Sequence, residues 1–425
     1  MTTAKELLKQ RYYEPIKEQP ELFVGIELEY PVVNLSGNAT DVSLTKQLLV
    51  YLMDNFDFQA DKYDSDNNPI QLIDKASGDM ILFEVSYNTI EFAFAKAERI
   101  SEVEERLDTY LGIIQPYLQN HNHELQGWGV NPNWEKNDNR PVKSPRYEML
   151  MDFLELSKAK KDPFFHDYPE YGSFICGSQV QLDVSKTSYL RVLNAFNQIE
   201  GPKAVLLANS EFWGSDWDLA LSRDVFWENS MHGVFEENAG VFPNDYFSYL
   251  SETAIFTAKR GDETYYFEPI RAKDYLSTSS VKAHSIHGEV VTIEPSEEDF
   301  KTHRSYQFQD LTTRGTIEFR SVCTQPFSST FAPAAFHLGL LVNLENLENI
   351  LNDSPFFEVF DYDFPRIRRL FSKKDISATD LKMILPLTES LLACAEDGLK
   401  SRGFGEEVYL APLREKLDKL NKSLA

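Results

Sequence analysis

The stretch FVGIELEYPVV, residues 23–33, alternates large apolar residues with the acidic residues Glu27 and Glu29. Successive side chains of a β-strand leave opposite faces, so both carboxylates are predicted on one face and Ile26 and Leu28 on the other. The stretch therefore predicts a strand with one apolar face and one face that carries acid.

Later segments repeat this mixture of apolar and polar residues. They are MILFEVSYNTIEFAF (80–94), FICGSQVQLDV (174–184) and TRGTIEFRSV (313–322). The first is typical of two strands joined by a short turn, and the second places Gln179, Gln181 and Asp183 on one face of a strand. Several acidic or amide side chains are therefore expected on strand faces.

Helical periods separate these strands. They predict helices at residues 43–56, 96–118, 187–199, 202–209 and 331–351, and two more before Ala425. Because strands and long helices do not alternate regularly, the pattern predicts the α+β class, with an antiparallel sheet covered by helices on one side. No break in composition marks a boundary, so residues 1–425 are predicted to form one domain, with a motif-bearing core at about 20–350 and a helical segment at about 352–425.

Composition and charge exclude several functional classes. The chain has 425 residues, and its 42 basic and 67 acidic residues give a formal net charge of −25. This acid excess argues against nucleic acid as a partner, because phosphate backbones are bound by clustered Lys and Arg. No stretch approaches about 20 uninterrupted apolar residues, so no membrane association is expected.

The cysteines and the amino terminus bear on the compartment. The three cysteines, Cys176, Cys323 and Cys394, are too few and too far apart for a disulfide framework or a structural zinc site. The charged start, MTTAKELLKQRYYEP, lacks the apolar core of a signal peptide. Together these features favour a reducing cytoplasm.

Acidic residues on apolar strands are the most informative feature. They are Glu27, Glu29, Glu84, Glu91 and Glu318. A carboxylate on a buried strand is costly to desolvate unless a cation pairs with it, so this set needs several cations. Lys and Arg are one possibility, and Mg²⁺, which takes oxygen ligands and bridges carboxylates to substrate phosphates, is another. The alternative is a solvated outward face, which explains one such residue more easily than all five.

Arginines supply the second candidate feature. Glu318 and Arg320 lie two residues apart on one strand face, and Arg314 stands at the strand entrance. The planar guanidinium of Arg320 suits a carboxylate or a transferring phosphate, although an ion pair on a sheet surface explains the spacing equally well. Arg223, in ALSRDVFW, is a further phosphate candidate, with packing on neighbouring aromatic rings as its alternative.

Several common active-site motifs are absent from the sequence, which excludes the kinds of site that they form. The chain contains no G-x-x-x-x-G-K-[ST] loop, no G-x-G-x-x-G turn after a strand and no G-x-S-x-G elbow. None of the eight histidines has a spacing diagnostic of zinc. If the protein handles phosphate, metal ions and arginines are therefore expected to do so.

The order of the motifs resembles the glutamate–cysteine ligase family. The series is GIELEY, FEVSYNTIEF, GWGVNPNWE, PRYEMLMDFL, GSQVQLDV, LLANSEFW, LSRDVFW and RGTIEFRSVCTQP, followed by an apolar helix. The similarity is closest to the branch shared by plants and many bacteria, within the glutamine synthetase-like superfamily, and it covers residues of about 20–350.

The resemblance implies a cupped antiparallel sheet with helices on its outer face. Its inner face is expected to bind two or three Mg²⁺ ions, ATP and glutamate. The implied metal ligands are Glu27, Glu29, Glu84, Glu91 and Glu318. The implied residues for phosphate, nucleotide or amino-acid substrate are Arg146 (in PRYEM), Gln179, Gln181, Arg223, Arg314 and Arg320.

One turn departs from the family pattern. Relatives of the plant branch carry a Gly-rich E-P-G-G-Q-x-E turn, whereas this chain has Glu84-Val-Ser-Tyr-Asn-Thr-Ile-Glu91, one residue longer and without glycine. The role of Glu91 and the identity of the substrates are therefore less firmly implied than the role of Glu84.

The resemblance implies an ATP- and Mg²⁺-dependent ligase. It would join the γ-carboxylate of L-glutamate to the amino group of L-cysteine through an acyl phosphate, with small-molecule partners only. One alternative is a related ligase for another amine or acid. Another is a non-catalytic relative that binds a nucleotide or an amino acid.

Overall fold

The computed structural model describes residues 2–235, 240–242 and 245–424. Its strands are β1 (Val24–Asn34), β2 (Phe58–Tyr63), β3 (Pro69–Asp74), β4 (Met80–Phe83), β5 (Thr89–Ala93), β6 (His123–Leu125), β7 (Ser178–Asp183), β8 (Ala254–Arg260), β9 (Glu263–Arg271), β10 (Val281–His284), β11 (Val290–Ile293), β12 (Gln309–Leu311) and β13 (Thr316–Phe319).

Helices connect and cover these strands. They are α1 (Ala4–Tyr12), α2 (Val42–Asn55), α3 (Ile100–Gln119), α4 (Pro145–Glu155), α5 (Tyr189–Gln198), α6 (Glu200–Leu207), α7 (Arg223–Glu228), α8 (Tyr246–Leu250), α9 (Ala272–Tyr275), α10 (Ala332–Val342), α11 (Leu344–Asp353), α12 (Phe364–Phe371), α13 (Ala378–Arg402) and α14 (Ala411–Ser423). Short 3-10 turns fill several connections.

The larger sheet is antiparallel throughout and has nine strands. Its order is β12-β13-β7-β1-β5-β4-β3-β2, and β6 pairs with the far end of β1. Strand β1 is therefore central, with β5 on one side and β7 on the other. Strands that are far apart in sequence become neighbours at this centre.

One face of this sheet forms the main core. Ile26, Leu28, Val180, Ile317 and Phe92 are each at most 2% exposed and lie on the face opposite the carboxylates. Helix α10 packs against β1 and β7 on this side, while α5 packs on β12. Burial of these apolar side chains stabilises the sheet and fixes which face remains for polar residues.

A smaller sheet supports part of the candidate site. It has four antiparallel strands in the order β11-β10-β9-β8. Helix α4 packs on β9. The residues at the start of α4 therefore take their position from the smaller sheet.

The α+β prediction is confirmed, because an antiparallel sheet with packed helices is what the structure contains. The alternation predicted for residues 23–33 and 174–184 and the two strands within 80–94 are also confirmed. The prediction that residues 1–425 form a single domain stays a prediction.

Two helix boundaries were predicted wrongly. The helix expected at 96–118 begins at Ile100, because Ala97 exchanges two backbone hydrogen bonds with Val24 and so extends the sheet. The helix expected at 331–351 is two helices, α10 and α11, bent by 88°. The break is at Asn343, which leaves helical geometry with a φ of −106° and a ψ of 38°, and its side-chain amide donates to the carbonyl of Cys394 on α13 at 3.1 Å.

The carboxyl-terminal segment also differs from expectation. It contains three helices, α12, α13 and α14, where two were predicted. Helix α13 begins after Ser377, whose hydroxyl accepts from the backbone N–H of Asp380, and ends at Gly403 with a φ of 76°. A hydroxyl at the start and a left-handed glycine at the end are common helix caps.

Two further expectations concern the membrane and the cysteines. Within the described residues, no single helix is long and apolar enough to cross a membrane, although the bent α10–α11 segment passes that test by length and composition. All three cysteines are buried free thiols.

Helices α10 and α13 approach each other through glycine. A Cβ atom built on Gly398 would lie 2.0 Å from the carbonyl oxygen of Gly339, and one built on Gly339 would lie 2.2 Å from the carbonyl oxygen of Ala395. Backbone atoms cannot move aside as a flexible side chain can. This crossing therefore requires glycine at both positions.

We expect Gly398→Ala to lower the free energy of unfolding by about 1–3 kcal/mol, because the added methyl group forces α10 and α13 apart. Urea denaturation followed by circular dichroism measures this change. The control is Gly112→Ala on α3, where an added Cβ meets nothing within 4 Å. It should raise stability by roughly 0.5–1 kcal/mol through helix propensity. Equal effects of the two substitutions would contradict the proposed crossing.

Candidate active site

The centre of the nine-stranded sheet gathers the predicted carboxylates on one face. In the strand register Glu29 lies opposite Glu91, and Glu318 lies opposite Gln181. Glu84 follows β4 directly and is bonded to the strand pair through its backbone. The five acidic residues predicted from the sequence thus come from four segments of the sheet, β1, β4 with its following turn, β5 and β13.

Gln181 links two of these carboxylates. Its Nε2 donates to Glu27 Oε1 at 2.9 Å and to Glu318 Oε1 at 3.0 Å. Its Oε1 accepts from Arg314 Nη2 at 2.5 Å. Because β7 lies between β1 and β13, this one amide sets the spacing of carboxylates on both neighbouring strands.

Glu29 is held by donors from the start of β7. The backbone N–H of Gly177 donates to Glu29 Oε2 at 2.6 Å, and Gln179 Nε2 donates to Glu29 Oε1 at 3.0 Å. Glu29 is only 6% exposed. Both of its oxygens therefore have fixed hydrogen-bond donors in a buried position.

Glu84 and Glu91 form the other end of the acidic array. The hydroxyl of Tyr147, on α4, donates to Glu84 Oε2 at 2.7 Å. Burial raises the pKa of Tyr147 well above its usual value, and the nearby Glu84 adds to that effect, so the phenol stays protonated and acts as a donor. Burial raises the pKa of Glu91 well above its usual value, and the charge of the nearby Glu84 adds to that effect.

The ionised forms of three of these glutamates are disfavoured in the folded protein. Burial is the largest cause that raises the pKa values of Glu27, Glu29 and Glu91, and repulsion from neighbouring carboxylates adds to it at each position. Arg314 lowers the pKa of Glu27, and Arg223 lowers that of Glu29. These raised values show that the site favours additional positive charge.

Two arginines lie against this array. Arg320 pairs with Glu318 and also donates through Nη1 to the carbonyl of Ser305 at 2.9 Å. Arg223, the first residue of α7, is 5% exposed and donates to the backbone carbonyl of Arg320. In the part of the chain that the structure describes, the Nε atoms of both arginines are buried without a hydrogen-bond partner. Each guanidinium thus keeps one buried donor without a partner among the described residues.

Gly177 makes room for Arg223. A Cβ atom at this position would lie 2.6 Å from Nη2 and 3.0 Å from Cζ of Arg223. The guanidinium therefore packs directly on the glycine backbone, whose N–H binds Glu29. A single backbone position thus fixes both a carboxylate and an arginine.

The two remaining arginines are more exposed. Arg314 reaches the array through its bond to Gln181. Arg146 is exposed on α4, with its guanidinium carbon 5.2 Å from the ring centroid of Tyr147. Arg146 and Arg314 thus approach the array from its Glu84 end and its Gln181 end respectively.

The donor set fits a hard divalent cation. It consists of carboxylate and amide oxygens, the ligands that Mg²⁺ takes in proteins. Burial, with repulsion between the carboxylates, raises the pKa values of Glu27, Glu29 and Glu91, so a bound cation would stabilise their ionised forms. Among the described residues, no group of three or more His, Cys, Asp or Glu side chains already stands at ligand spacing. The assignment of the five glutamates as metal ligands stays a prediction.

Comparison with known proteins identifies the family. Residues 23–421 match the family described as Glutamate-cysteine ligase family 2 (GCS2). The chain belongs to this glutamate–cysteine ligase family. Among curated relatives, it is 22% identical over 341 residues to the chloroplastic glutamate–cysteine ligase of Medicago truncatula. The aligned region covers 76% of this chain and 62% of that protein. It is also 22% identical over 381 residues to the chloroplastic glutamate–cysteine ligase A of Oryza sativa subsp. indica. This alignment covers 86% of this chain and 72% of that protein. The chain thus spans less than two thirds of the Medicago truncatula enzyme.

Solved structures show a weaker similarity. A glutamate–cysteine ligase from Francisella tularensis in complex with AMP has a TM-score of 0.47 and 12% identity, covering 95% of this chain and 82% of that one. A bifunctional glutathione synthetase from Pasteurella multocida has a TM-score of 0.41 and 10% identity, covering 94% of this chain and 52% of that one. Both scores are too low to support an argument about the site.

The structure adds residues that the sequence did not single out. Gly177 and Tyr147 both contact predicted glutamates, yet neither stands in a motif with a mechanism of its own. Asp183 lies on the predicted strand face but pairs with Lys17, at 3.1 Å, rather than with the carboxylate array. The sequence offered one indication of these residues, namely their position next to predicted site residues. Gly177 precedes Gln179 by two residues, and Tyr147 directly follows Arg146.

We expect Gln181→Met to lower the free energy of unfolding by about 1–3 kcal/mol, because Glu27 and Glu318 both lose a donor in a poorly solvated place. Methionine has a similar volume, so the change removes the amide with little loss of packing. Urea denaturation of the metal-free protein measures it. The control, Gln59→Met at an exposed position of β2, should stay within about 0.5 kcal/mol. No difference between the two variants would show that the amide does not hold the carboxylates.

A double-mutant cycle tests the contact between Gly177 and Arg223. Gly177→Ala and Arg223→Ala should each destabilise the protein, and the double variant should lose less than the sum by at least about 0.5 kcal/mol, because the added methyl group has nothing left to displace. Gly112→Ala combined with Arg223→Ala is the control pair and should be additive. If the effects of Gly177→Ala and Arg223→Ala on stability simply add, the Arg223 guanidinium does not pack on Gly177.

Proposed function

We propose that this protein is an ATP-dependent ligase that joins the γ-carboxylate of L-glutamate to the amino group of L-cysteine. The products are γ-glutamylcysteine, ADP and phosphate. The observation that supports this proposal is the convergence of five glutamates on one sheet face, with Arg320 paired to Glu318 and Arg223 packed on Gly177, in a member of the glutamate–cysteine ligase family.

Amide formation in water is uphill, so the glutamate carboxylate must first be activated. Its γ-carboxylate oxygen attacks the terminal phosphorus of ATP, the bond from that phosphorus to the ADP oxygen breaks, and an acyl phosphate forms. The cysteine amine then attacks the acyl carbon, phosphate leaves and the amine loses a proton. Positioning and charge stabilisation carry such phosphoryl transfers.

The residues of the site match those needs. Glu27, Glu29, Glu84, Glu91 and Glu318 would hold Mg²⁺, which when bound screens the charge of the phosphate oxygens. Arg223 and Arg320 each offer a buried, unpartnered Nε–H donor for the negative charge on the transferred group. Their guanidinium groups are already fixed by Gly177, Glu318 and the Ser305 carbonyl, so little reorganisation is needed.

No enzyme nucleophile takes part in this scheme. Burial raises the pKa values of Cys176 and Cys323, so both thiols stay protonated. Cys176 lies 3.7 Å from the hydroxyl of Thr89, and Cys323 donates to Ser210. Their role is therefore packing within the core, and the protein is proposed to work in a reducing cytoplasm.

The turn between Glu84 and Glu91 supports a second candidate, a ligase for another amine or acid. Val85, directly after Glu84, has a φ of 56°, a conformation that a β-branched residue rarely adopts. Neighbours hold it there, since its carbonyl accepts from the N–H of Val142 at 2.7 Å and the Ser86 hydroxyl donates to the Ser173 carbonyl. The turn thus differs in sequence and length from the Gly-rich turn of the plant branch, and it joins two of the proposed metal ligands, Glu84 and Glu91.

The test is turnover with ATP, Mg²⁺, glutamate and cysteine, followed by chromatography of ADP and of the dipeptide. We expect both products in equal amounts, and none after metal removal with EDTA. Glu318→Gln should lower kcat by at least about a hundredfold, because it removes a carboxylate beside the transferring phosphate. Its free energy of unfolding should change by less than about 1 kcal/mol, because losing the pair with Arg320 is offset by relief of repulsion with Glu27.

The control is Glu298→Gln, an exposed carboxylate paired with Lys301, which should leave kcat unchanged. ADP without dipeptide would favour the second candidate, and a panel of amino acids assayed by phosphate release would then identify the amine. Absence of ADP with every amine and acid would refute ligase activity and leave a binding protein.

A further inference from the structure

A buried charge network adjoins the arginines of the site. Its members are Glu200 and Lys203 of α6, Asp224 of α7 and Arg368 of α12, and each is at most 3% exposed. Buried charges of this kind often stabilise a fold less than apolar side chains of similar volume do. Stability alone therefore does not account for the network.

Arg368 joins three segments of the chain. Its Nε donates to Asp224 Oδ2 at 2.5 Å and its Nη2 to Asp224 Oδ1 at 3.3 Å, so the aspartate is held at two points. Nη1 donates to the backbone carbonyl of Glu200 at 2.6 Å, and Nη2 also donates to that of Ser321 at 3.3 Å. Helix α6, helix α7 and the residues after β13 thus meet at one guanidinium.

Two of these partners directly follow an arginine of the site. Asp224 follows Arg223, and Ser321 follows Arg320. Arg223 in turn donates to the backbone carbonyl of Arg320. Two neighbouring bridges, one from Arg368 and one from Arg223, therefore join α7 to the end of β13.

Helix α7 depends on its neighbours for its position. It has only six residues, and an isolated helix shorter than about 12 residues is marginal in water. Arg369 of α12 pairs with Glu228, the last residue of α7. The carbonyl of Ser372, just after α12, accepts from the N–H of Ala220 at 2.9 Å. Helix α12 therefore holds α7 at its end and also holds the segment that leads into it.

Helix α12 has little freedom to move. A Cβ atom built on Gly201 of α6 would lie 2.5 Å from Cγ2 of Ile367, so the two helices are in close contact. Ile367 and Phe371 are each 1% exposed. The guanidinium of Arg368 thus extends toward α7 from a fixed support.

We propose that Arg368 is a positioning residue for the reaction, which fixes α7 against the end of β13 and so sets the Arg223 guanidinium relative to Glu318. This inference rests on the proposed function. Arg368 is buried and acts through Asp224 and the carbonyl of Ser321. The carboxyl-terminal helical segment takes part in the reaction through α12, because it holds the arginine that opposes charge on the transferred phosphoryl group.

Arg368→Lys tests the assignment, because lysine keeps the positive charge but lacks the planar fork that reaches both oxygens of Asp224. We expect kcat to fall roughly ten- to a hundredfold, since a small misplacement of a catalytic group has an effect of that size. The KM values for ATP and glutamate should change by less than about twofold, because Arg223 acts on charge that develops in the transition state. Circular dichroism measures the folded fraction, to which kcat is normalised.

The matched control is Arg260→Lys. Arg260 also donates to both oxygens of a buried aspartate, Asp299, and to a backbone carbonyl, that of Glu294. It lies on β8 in the smaller sheet. Its kcat and KM values should match those of the wild type. An equal loss of kcat in both variants would show that any broken buried ion pair lowers turnover, which overturns the assignment.

Two further variants separate positioning from a purely structural role. Asp224→Asn keeps the shape of the side chain and removes one of the two bonds to Arg368, so it should lower kcat in the same way. In an Arg223→Ala background, Arg368→Lys should lower kcat by less than about threefold, because residues that act as a unit are not additive. A full loss in that background would overturn the assignment.

The contact between Gly177 and Arg223 gives a readout that needs no substrate. The coupling between Gly177→Ala and Arg223→Ala in urea denaturation should shrink by at least about half in the Arg368→Lys protein, because a displaced guanidinium no longer packs on the glycine. Unchanged coupling, or unchanged kcat, overturns the positioning role and leaves the ligase proposal standing. If the wild-type protein makes no dipeptide, the ligase proposal fails, and the coupling alone decides whether Arg368 positions the Arg223 guanidinium.

Discussion

Repulsion among buried carboxylates is the constraint on which this structure depends. Glu27, Glu29 and Glu91 lie on adjacent strands, where burial and mutual repulsion raise their pKa values, so their ionised forms need a nearby cation. Neutral donors keep the array in place: the amide of Gln181 and the backbone N–H of Gly177. These donors orient carboxylate oxygens without cancelling their charge. In the proposed ligase, carboxylates held in this way would bind cations and, through them, phosphate.

Such a face is stable only because the other face of the same strands is apolar. Ile26 and Phe319 alternate with acidic neighbours and pack under helix α10. Helix α13 packs on α10 through Gly339 and Gly398, so the layer beneath the sheet is dense and leaves little room to relax. Hydrophobic burial on one side opposes electrostatic repulsion on the other. A change beneath the sheet is therefore transmitted to the spacing of the carboxylates above it.

The two ends of the array differ because different parts of the fold supply them. The end near Glu84 receives Tyr147 from α4, which the smaller sheet supports. The end near Glu27 receives Lys96 from an extended segment that prolongs β5 along β1. The two ends of the array are thus bounded by residues from separate parts of the fold.

The sequence alone determined the local order: which residues alternate on each strand, the α+β class, the acidic face containing Glu27 and Glu318, and the order of family motifs. It did so because strand alternation has a period of two residues and can be read from neighbours. Tertiary structure alone decided that Gly177 carries the Arg223 guanidinium, that Lys96 lies at the Glu27 end of the array and that the helix predicted at 331–351 breaks at Asn343. Each of these depends on contact between segments far apart in the chain, and no local pattern encodes such a contact.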